Sequence, residues 1–236
     1  MSEKIIGILG GMGPEATADL YYRIIRATPA QRDQDHLRCI IYSNTKVPDR
    51  TAAILEVGPS PLPELIRAAK RLEEAGADFI AIPCNTAHYF LPDLQRELRI
   101  PVINMISLSA EKTKKKKQDV TKVAILATDG TLRSRLYHEA YADKGITVIE
   151  PPPEIQEMVM SAIYKDIKAG NLNEGKAFLK SVADSLINSG AEIIVCGCTE
   201  VSLVIKDGDL TVPVLDSLQV LAEACVDYAL GKRKPQ

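Results

Sequence analysis

Apolar and polar positions along this chain alternate between two spacings. Short unbroken apolar runs recur: "KIIGILGG" at Lys4–Gly11, "RCIIYSN" at Arg38–Asn44, "ADFIAIPC" at Ala77–Cys84 and "IPVINMI" at Ile100–Ile106. They read as buried strands ending in glycine, proline or polar turn residues. Between them, apolar residues return every three or four positions, as in "PEATADLYYRIIRAT", "LPELIRAAKRLEEAG" and "AHYFLPDLQREL", which read as helices. After a lysine-rich stretch the pattern restarts. "KVAILAT" is a strand, "LRSRLYHEAYADKG" a helix and "ITVIE" a strand; a helical region runs from about Ile155 to Ser189 with a break near Gly170. Strands at "AEIIVCGC" and "VPVLDS" follow, then a closing helix from about Leu218 to Leu230. Alternation of this kind predicts an α/β protein with parallel sheets.

The pattern also repeats. "GADFIAIPCNTAHYF" opens at Gly76 and "GAEIIVCGCTEVSLV" at Gly190, an offset of 114 that also relates Cys84 to Cys198. Downstream, "IPVIN" answers "VPVLD"; upstream, "IIGILGGMGP" answers "KVAILATDGT". Two halves of similar plan are expected, with the join near Glu111–Asp119, "EKTKKKKQD". That basic run has no aromatic residues beside it and reads as a solvated linker or helix end, not a nucleic-acid patch.

Composition narrows the classes. A net charge of −2 over 236 residues gives no general attraction to nucleic acid or anionic membrane. No apolar run is long enough for a membrane span, and the N-terminal run reads as a strand rather than a signal peptide. Five cysteines, an odd number, argue against a disulfide framework and for a reducing, cytoplasmic location. No metal-ligand spacing is present.

In open α/β sheets, ligands bind beyond the carboxyl ends of strands, and Cys84 and Cys198 both stand at such ends. Each precedes a segment that could begin a helix, which would favour the thiolate. If the halves face one another, two thiols reach one substrate from opposite sides. That suits removal of a proton from one face of a carbon and its return to the other. Cys39 and Cys225 read as small hydrophobes. Cys196 shares its strand side with Cys198 and either lines the site or packs beneath it.

"ILGGMGPEAT", "PCNTAH" and "GCTEV", in this order and spacing, resemble the cofactor-independent aspartate/glutamate racemase superfamily, over nearly the whole chain and most closely its aspartate racemases. The resemblance implies two pseudo-symmetric α/β domains with the active site in the cleft between them. It implies no pyridoxal phosphate or other cofactor, no metal and a homodimer. The expected partition is 1–110 with 216–236, the C-terminal helix returning to the first domain, and 111–215. Cys84 and Cys198 match the family's catalytic pair. Glutamate racemases typically carry His after the second Cys-Thr and an acidic residue with Ser-Gly in the first motif. Here Glu200 and "GGMGP" stand there, as in the aspartate branch.

The other expected site residues bind substrate. Asn85, Thr86 and Thr199 offer donors to an α-carboxylate on which charge grows as the Cα proton leaves. Met12 forms a wall by resemblance. Thr128, with Thr131, is the second-half counterpart, or simply caps its turn. Glu200 either tunes Cys198 and the substrate ammonium or lies at the surface. By resemblance Arg50 and Lys168 bind a side-chain carboxylate; otherwise Arg50 pins its loop through Asp49 and Lys168 ends a helix before Gly170. His88 reads as a packing or surface histidine. The function expected is racemisation of aspartate. A broad-specificity amino-acid or hydantoin racemase, or another isomerase of the superfamily, is the alternative. A nucleotide-binding module built on "GGMG" lacks both the acidic residue and the Gly-Lys-Ser/Thr that such modules need.

Overall fold

The computed structural model describes residues 3–233. The described residues form two compact units, one of residues 3–105 with 218–233, the other of residues 106–217.

The first unit begins with β1 (Ile6–Gly10), buried at every position, followed by α1 (Pro14–Ala27). Then come β2 (Cys39–Ser43), the short α2 (Arg50–Ile54), α3 (Leu62–Glu74) and β3 (Phe79–Ala81). A 3₁₀ turn at Thr86–Phe90 leads into α4 (Leu91–Arg96). The sheet is parallel in the order β2-β1-β3, with Ile8 paired to Ile41 on one side and Ala81 on the other. Its core gathers Leu9, Leu65, Leu72, Ile80, Ile82 and Leu94. Truncating any one of these leucines to alanine costs about 2–5 kcal/mol, through lost burial and the cavity left behind.

The strand expected at Ile100–Ile106 is reduced to a single bridge between Ile80 and Val102. Ile80 donates to the Pro101 carbonyl at 2.9 Å and accepts from Ile103 N–H at 2.8 Å. Pro101 has no N–H to extend the ladder upstream. Downstream the chain turns into a helix not foreseen from the sequence, α5 (Met105–Lys116).

From Ile106 the chain belongs to the second unit. It contains β4 (Lys122–Leu126), α6 (Asp129–Arg133), α7 (Leu136–Ala142), β5 (Thr147–Ile149) and α8 (Pro153–Ser161). One turn of π-helix at Ala162–Asp166 and one of 3₁₀ at Ile167–Ala169 end at Gly170, and α9 (Leu172–Asn188) follows. Then come β6 (Ile194–Cys196), α10 (Thr199–Val204) and β7 (Val214–Asp216), before α11 (Ser217–Ala229) re-enters the first unit. The second sheet is parallel in the order β5-β4-β6-β7. Adding Val102 to the first sheet gives the same strand order in both units, as the repeat implied. The single helix expected at Leu132–Gly145 is broken, because Arg135 adopts a left-handed conformation with φ 56°.

The lysine run forms the end of α5, the helix-end alternative of the sequence reading. Lys114 Nζ donates to the Val120 carbonyl at 3.0 Å, and Lys116 Nζ bonds Asp207 at 2.6 Å and the Val214 carbonyl at 3.1 Å. Lys117 pairs with Glu192. Cations at a helix C-terminus are favoured by the dipole, and here they also staple α5 to the ends of β6 and β7. No helix among the described residues is long and apolar enough to cross a membrane.

Candidate active site

In the first unit, β3 runs on through Ile82 and Pro83 to Cys84. The thiol is 6% exposed and belongs to the same apolar cluster as Met12, Val47, Ala87 and Phe90. Met12 follows the glycine turn after β1. Gly11 has φ 96°, and a side chain there would meet the Asn44 backbone at 2.3 Å, so only glycine lets the turn close. Thr17 braces that turn, accepting from Gly11 N–H at 2.9 Å and donating to the Gly13 carbonyl at 2.8 Å. Asn85 and Thr86 are buried beside the thiol.

Arg50 opens α2, which packs on the 3₁₀ turn after Cys84. Its Nη1 donates to the carbonyls of Val47 and Pro48 at 3.3 and 3.0 Å. Asp49 caps α2 by accepting from Ala52 N–H at 2.8 Å. Arg50 therefore grips its loop through the Val47 and Pro48 carbonyls.

In the second unit, Cys198 is the N-cap residue of α10, and its carbonyl accepts from Val201 and Ser202 N–H. The preceding glycine is required by packing: a side chain on Gly197 would lie 2.6 Å from Ile125. Cys198 Sγ donates to Glu200 Oε2 at 2.9 Å, and Thr199 Oγ1 donates to the same oxygen at 3.3 Å. Cys198 and Glu200 are 6% and 5% exposed, so the surface reading of Glu200 is excluded.

The thiol of Cys198 is held well above the ordinary range, by burial first and then by the Glu200 carboxylate, with Lys168 pulling the other way. The expectation that a helix start would favour thiolate therefore fails here. A six-residue helix supplies less than burial and a buried carboxylate take away.

Lys168 lies exposed in the 3₁₀ turn before Gly170, its Nζ 4.0 Å from the centre of the Tyr164 ring. Thr128 caps α6, accepting from Thr131 N–H at 3.3 Å, with the two hydroxyls 3.2 Å apart. Leu126 pairs with Cys196 across β4 and β6, so Thr128 and Cys198 each stand two residues beyond that pair. Cys196 is fully buried in the core of its unit, and its carbonyl accepts from Ser217 Oγ at 2.7 Å. It packs beneath the thiol.

Sequence reasoning missed Tyr137. Its buried hydroxyl bonds Ser109 and Ser217, and the Cys196 and Cys198 thiols stand close enough to act on it. Nothing in its local pattern marks it apart from a core tyrosine. Among the described residues, no group of three or more His, Cys, Asp or Glu is arranged to hold a metal ion.

The sequence profile of the Asp/Glu/hydantoin racemase family matches residues 9–225. The chain belongs to that family. It is an amino-acid racemase, an isomerase whose substrates are small amino acids. It is 28% identical to a broad-specificity amino-acid racemase, RacX of Bacillus subtilis, over 96% of this chain and 99% of the relative. Among solved structures, an aspartate racemase from Picrophilus torridus superposes with a TM-score of 0.85 at 31% identity, covering 99% of this chain and 96% of that one. An aspartate racemase homologue from Pyrococcus horikoshii gives 0.77 at 32% identity, covering 96% and 99%. The family and the two parallel-sheet units agree with the expectations drawn from the three motifs.

Proposed function

We propose that the protein interconverts L- and D-aspartate, with Cys84 and Cys198 as the proton-transfer pair on opposite faces of Cα. The observation that carries this reading is the bond from Cys198 Sγ to Glu200. It describes a thiol kept protonated, an acid ready to donate. The repeat offset of 114 puts Thr86 where the second half has Glu200, so no carboxylate occupies the corresponding position after Cys84. The two thiols thus differ in their neighbours, and in this reading Cys84 takes the part of the base.

In one turnover the Cys84 thiolate takes the Cα proton, and the C–H electron pair spreads onto the substrate carboxylate. Cys198 then delivers its proton to the opposite face. Cys84 is left as thiol and Cys198 as thiolate, and the reverse direction begins from that form. Asn85, Thr86 and Thr199 hold the α-carboxylate, where donors stabilise the carbanion more than the ground state. Arg50 and Lys168 read the side-chain carboxylate, with Met12 and Thr128 lining the site. The working domains are 1–110 plus 216–236 and 111–215. The protein acts as a cytoplasmic homodimer without an added cofactor.

A second reading, broad-specificity racemisation, is supported by the exposure of Lys168 and its seat on Tyr164, a cation not committed to a buried anion. The Bacillus relative's printed activity points the same way.

The deciding experiment incubates the pure protein with each L-amino acid in heavy water and follows Cα exchange together with chirality. Exchange and loss of chirality confined to aspartate support the first reading. Comparable rates for neutral amino acids support the second, and no exchange with any amino acid rejects both.

A further inference from the structure

The proton transfers proposed above leave one buried titratable ring of the first unit without a role. His88 is 2% exposed, in the 3₁₀ turn four residues after Cys84. Its Nδ1 lies 2.8 Å from the Cys84 carbonyl oxygen, Met105 N–H points at its Nε2 from 3.1 Å, and the Ile103 carbonyl oxygen lies 3.4 Å from the same Nε2, the longest of the three contacts. A carbonyl only accepts and a backbone N–H only donates. One neutral ring form satisfies the two shorter contacts: the imidazole with its proton on Nδ1. The opposite tautomer would turn a lone pair onto the Cys84 carbonyl and a proton onto the Met105 N–H. Burial pushes the ring's pKa down, in keeping with a neutral group.

We propose that His88 is a positioning residue for Cys84, which as the Nδ1–H tautomer ties the Cys84 carbonyl to the Met105 N–H where α5 begins. The proposal rests on the reading of Cys84 as a proton-transfer thiol. The backbone of Cys84 is thereby held on both sides of its Cα. Its N–H donates to the Ile82 carbonyl at 2.8 Å, and its carbonyl accepts from the ring. Both neighbouring peptide planes are pinned, which fixes the direction of the Cα–Cβ bond and hence where the sulfur points. The ring also does a helix cap's work, since Met105 N–H belongs to the first turn of α5, where side chains commonly take the N–H groups. The backbone N–H of His88 is spent locally, on the Asn85 carbonyl at 3.0 Å. Proton transfer to and from carbon is sensitive to such placement, and a displacement of about 1 Å can cost roughly a hundredfold in rate.

Two amide side chains separate this role from simple core packing. Asparagine reaches as far as Nδ1 and can still donate to the Cys84 carbonyl. Glutamine reaches as far as Nε2 and can still accept from Met105 N–H, but it offers nothing at the Nδ1 position. His88→Asn and His88→Gln are compared for kcat, KM and urea unfolding, with ¹⁵N NMR of the wild-type ring to read its tautomer. The expected result is an Nδ1–H ring in the wild type. His88→Gln then loses roughly tenfold or more in kcat at nearly unchanged KM, and His88→Asn stays within a few-fold of wild type. An Nε2–H tautomer, equal losses in the two variants, or kcat values that simply follow stability would overturn the proposal. Full turnover in Cys84→Ala would instead remove Cys84 from the chemistry, a failure of the underlying reading that the histidine variants do not mimic.

Discussion

Cys198 and Glu200 form a thiol-to-carboxylate hydrogen bond of 2.9 Å in which both groups are buried. Two residues apart at the start of α10, they fix the protonation of one of the two thiols before any substrate arrives. A thiolate at Cys198 would face the Glu200 carboxylate across the same gap. The charges that bear on Cys198 are Glu200 from its own helix and Lys168 from the turn before α9, while the Tyr137 phenol adds a neutral neighbour.

Removing the Glu200 charge tests this directly. In Glu200→Gln, burial still raises the Cys198 thiol, but the second cause of the shift is gone, so its deprotonation moves to lower pH. Because the two enantiomers have equal free energies, kcat/KM is the same in both directions, and either one reports the effect. The alkaline limb of kcat/KM, where the acid is lost, should move down in pH, and alkylation of the Cys198 peptide followed by mass spectrometry should show the same displacement. An unmoved limb would mean that Glu200 does not control the thiol.

Both cysteines should be indispensable. Cys84→Ala and Cys198→Ala each remove one partner of an acid–base pair, with losses of roughly 10²–10⁴-fold expected for each in racemisation. Cys196→Ala, which leaves both transferring thiols in place, should lower stability more than turnover. Chiral chromatography of the product, set beside urea unfolding, separates the two effects. Near-normal turnover in either of the first two variants would rule out a two-thiol mechanism.

What the sequence made legible follows from what buried strands look like. β1, β3 and β6, and β4 after its exposed Lys122, are apolar because parallel strands are covered on both faces, so they stand out as unbroken runs. The 114-residue repeat marked both thiols because each follows such a run. α5 was missed for a physical reason: its buried positions Met105, Ile106, Leu108, Ser109, Ala110 and Thr113 suit a helix, but two are polar and the lysines from Lys112 onward dominate its last turn. Glu200 and His88 show the other limit. A glutamate in a first helical turn and a histidine four residues after a cysteine look unremarkable until their partners are known. Those partners are a thiol in one case and backbone groups in the other.

The lysine run carries a prediction about acid stability. Lys117, Thr121 and the Lys122 N–H all converge on Glu192, holding its carboxyl down at about 2 from an ordinary 4.5. A carboxylate lowered on folding contributes stability that is present above its unfolded value and lost as pH falls through its folded value. The advantage of wild type over Glu192→Gln in urea unfolding should hold at pH 6 and shrink between about pH 4.5 and pH 2. The group is largely at the surface, so added salt should also reduce the difference. A difference that stays constant with pH would place the contribution of Glu192 elsewhere than in its charge.

Substrate choice turns on Arg50 and Lys168, and the two should behave differently. Arg50 already donates to the Val47 and Pro48 carbonyls, so Arg50→Ala disturbs its loop as well as any bound anion. It should lower turnover of aspartate strongly and of alanine measurably. Lys168 has no such loop duty: it stands exposed with its ammonium over Tyr164. Lys168→Ala removes one downward pull on the Cys198 thiol for every substrate alike, so it should cost alanine modestly and a substrate with a second carboxylate far more. A hydrogen bond to a charged group contributes about 1.5–3 kcal/mol, so kcat/KM for aspartate should fall roughly tenfold to a hundredfold. The measurement is kcat/KM for L-aspartate, L-glutamate and L-alanine in the wild type and both variants. Parallel losses across the three substrates in Lys168→Ala would show that this lysine does not read the side chain, and the broad-specificity reading would then stand in place of the aspartate one.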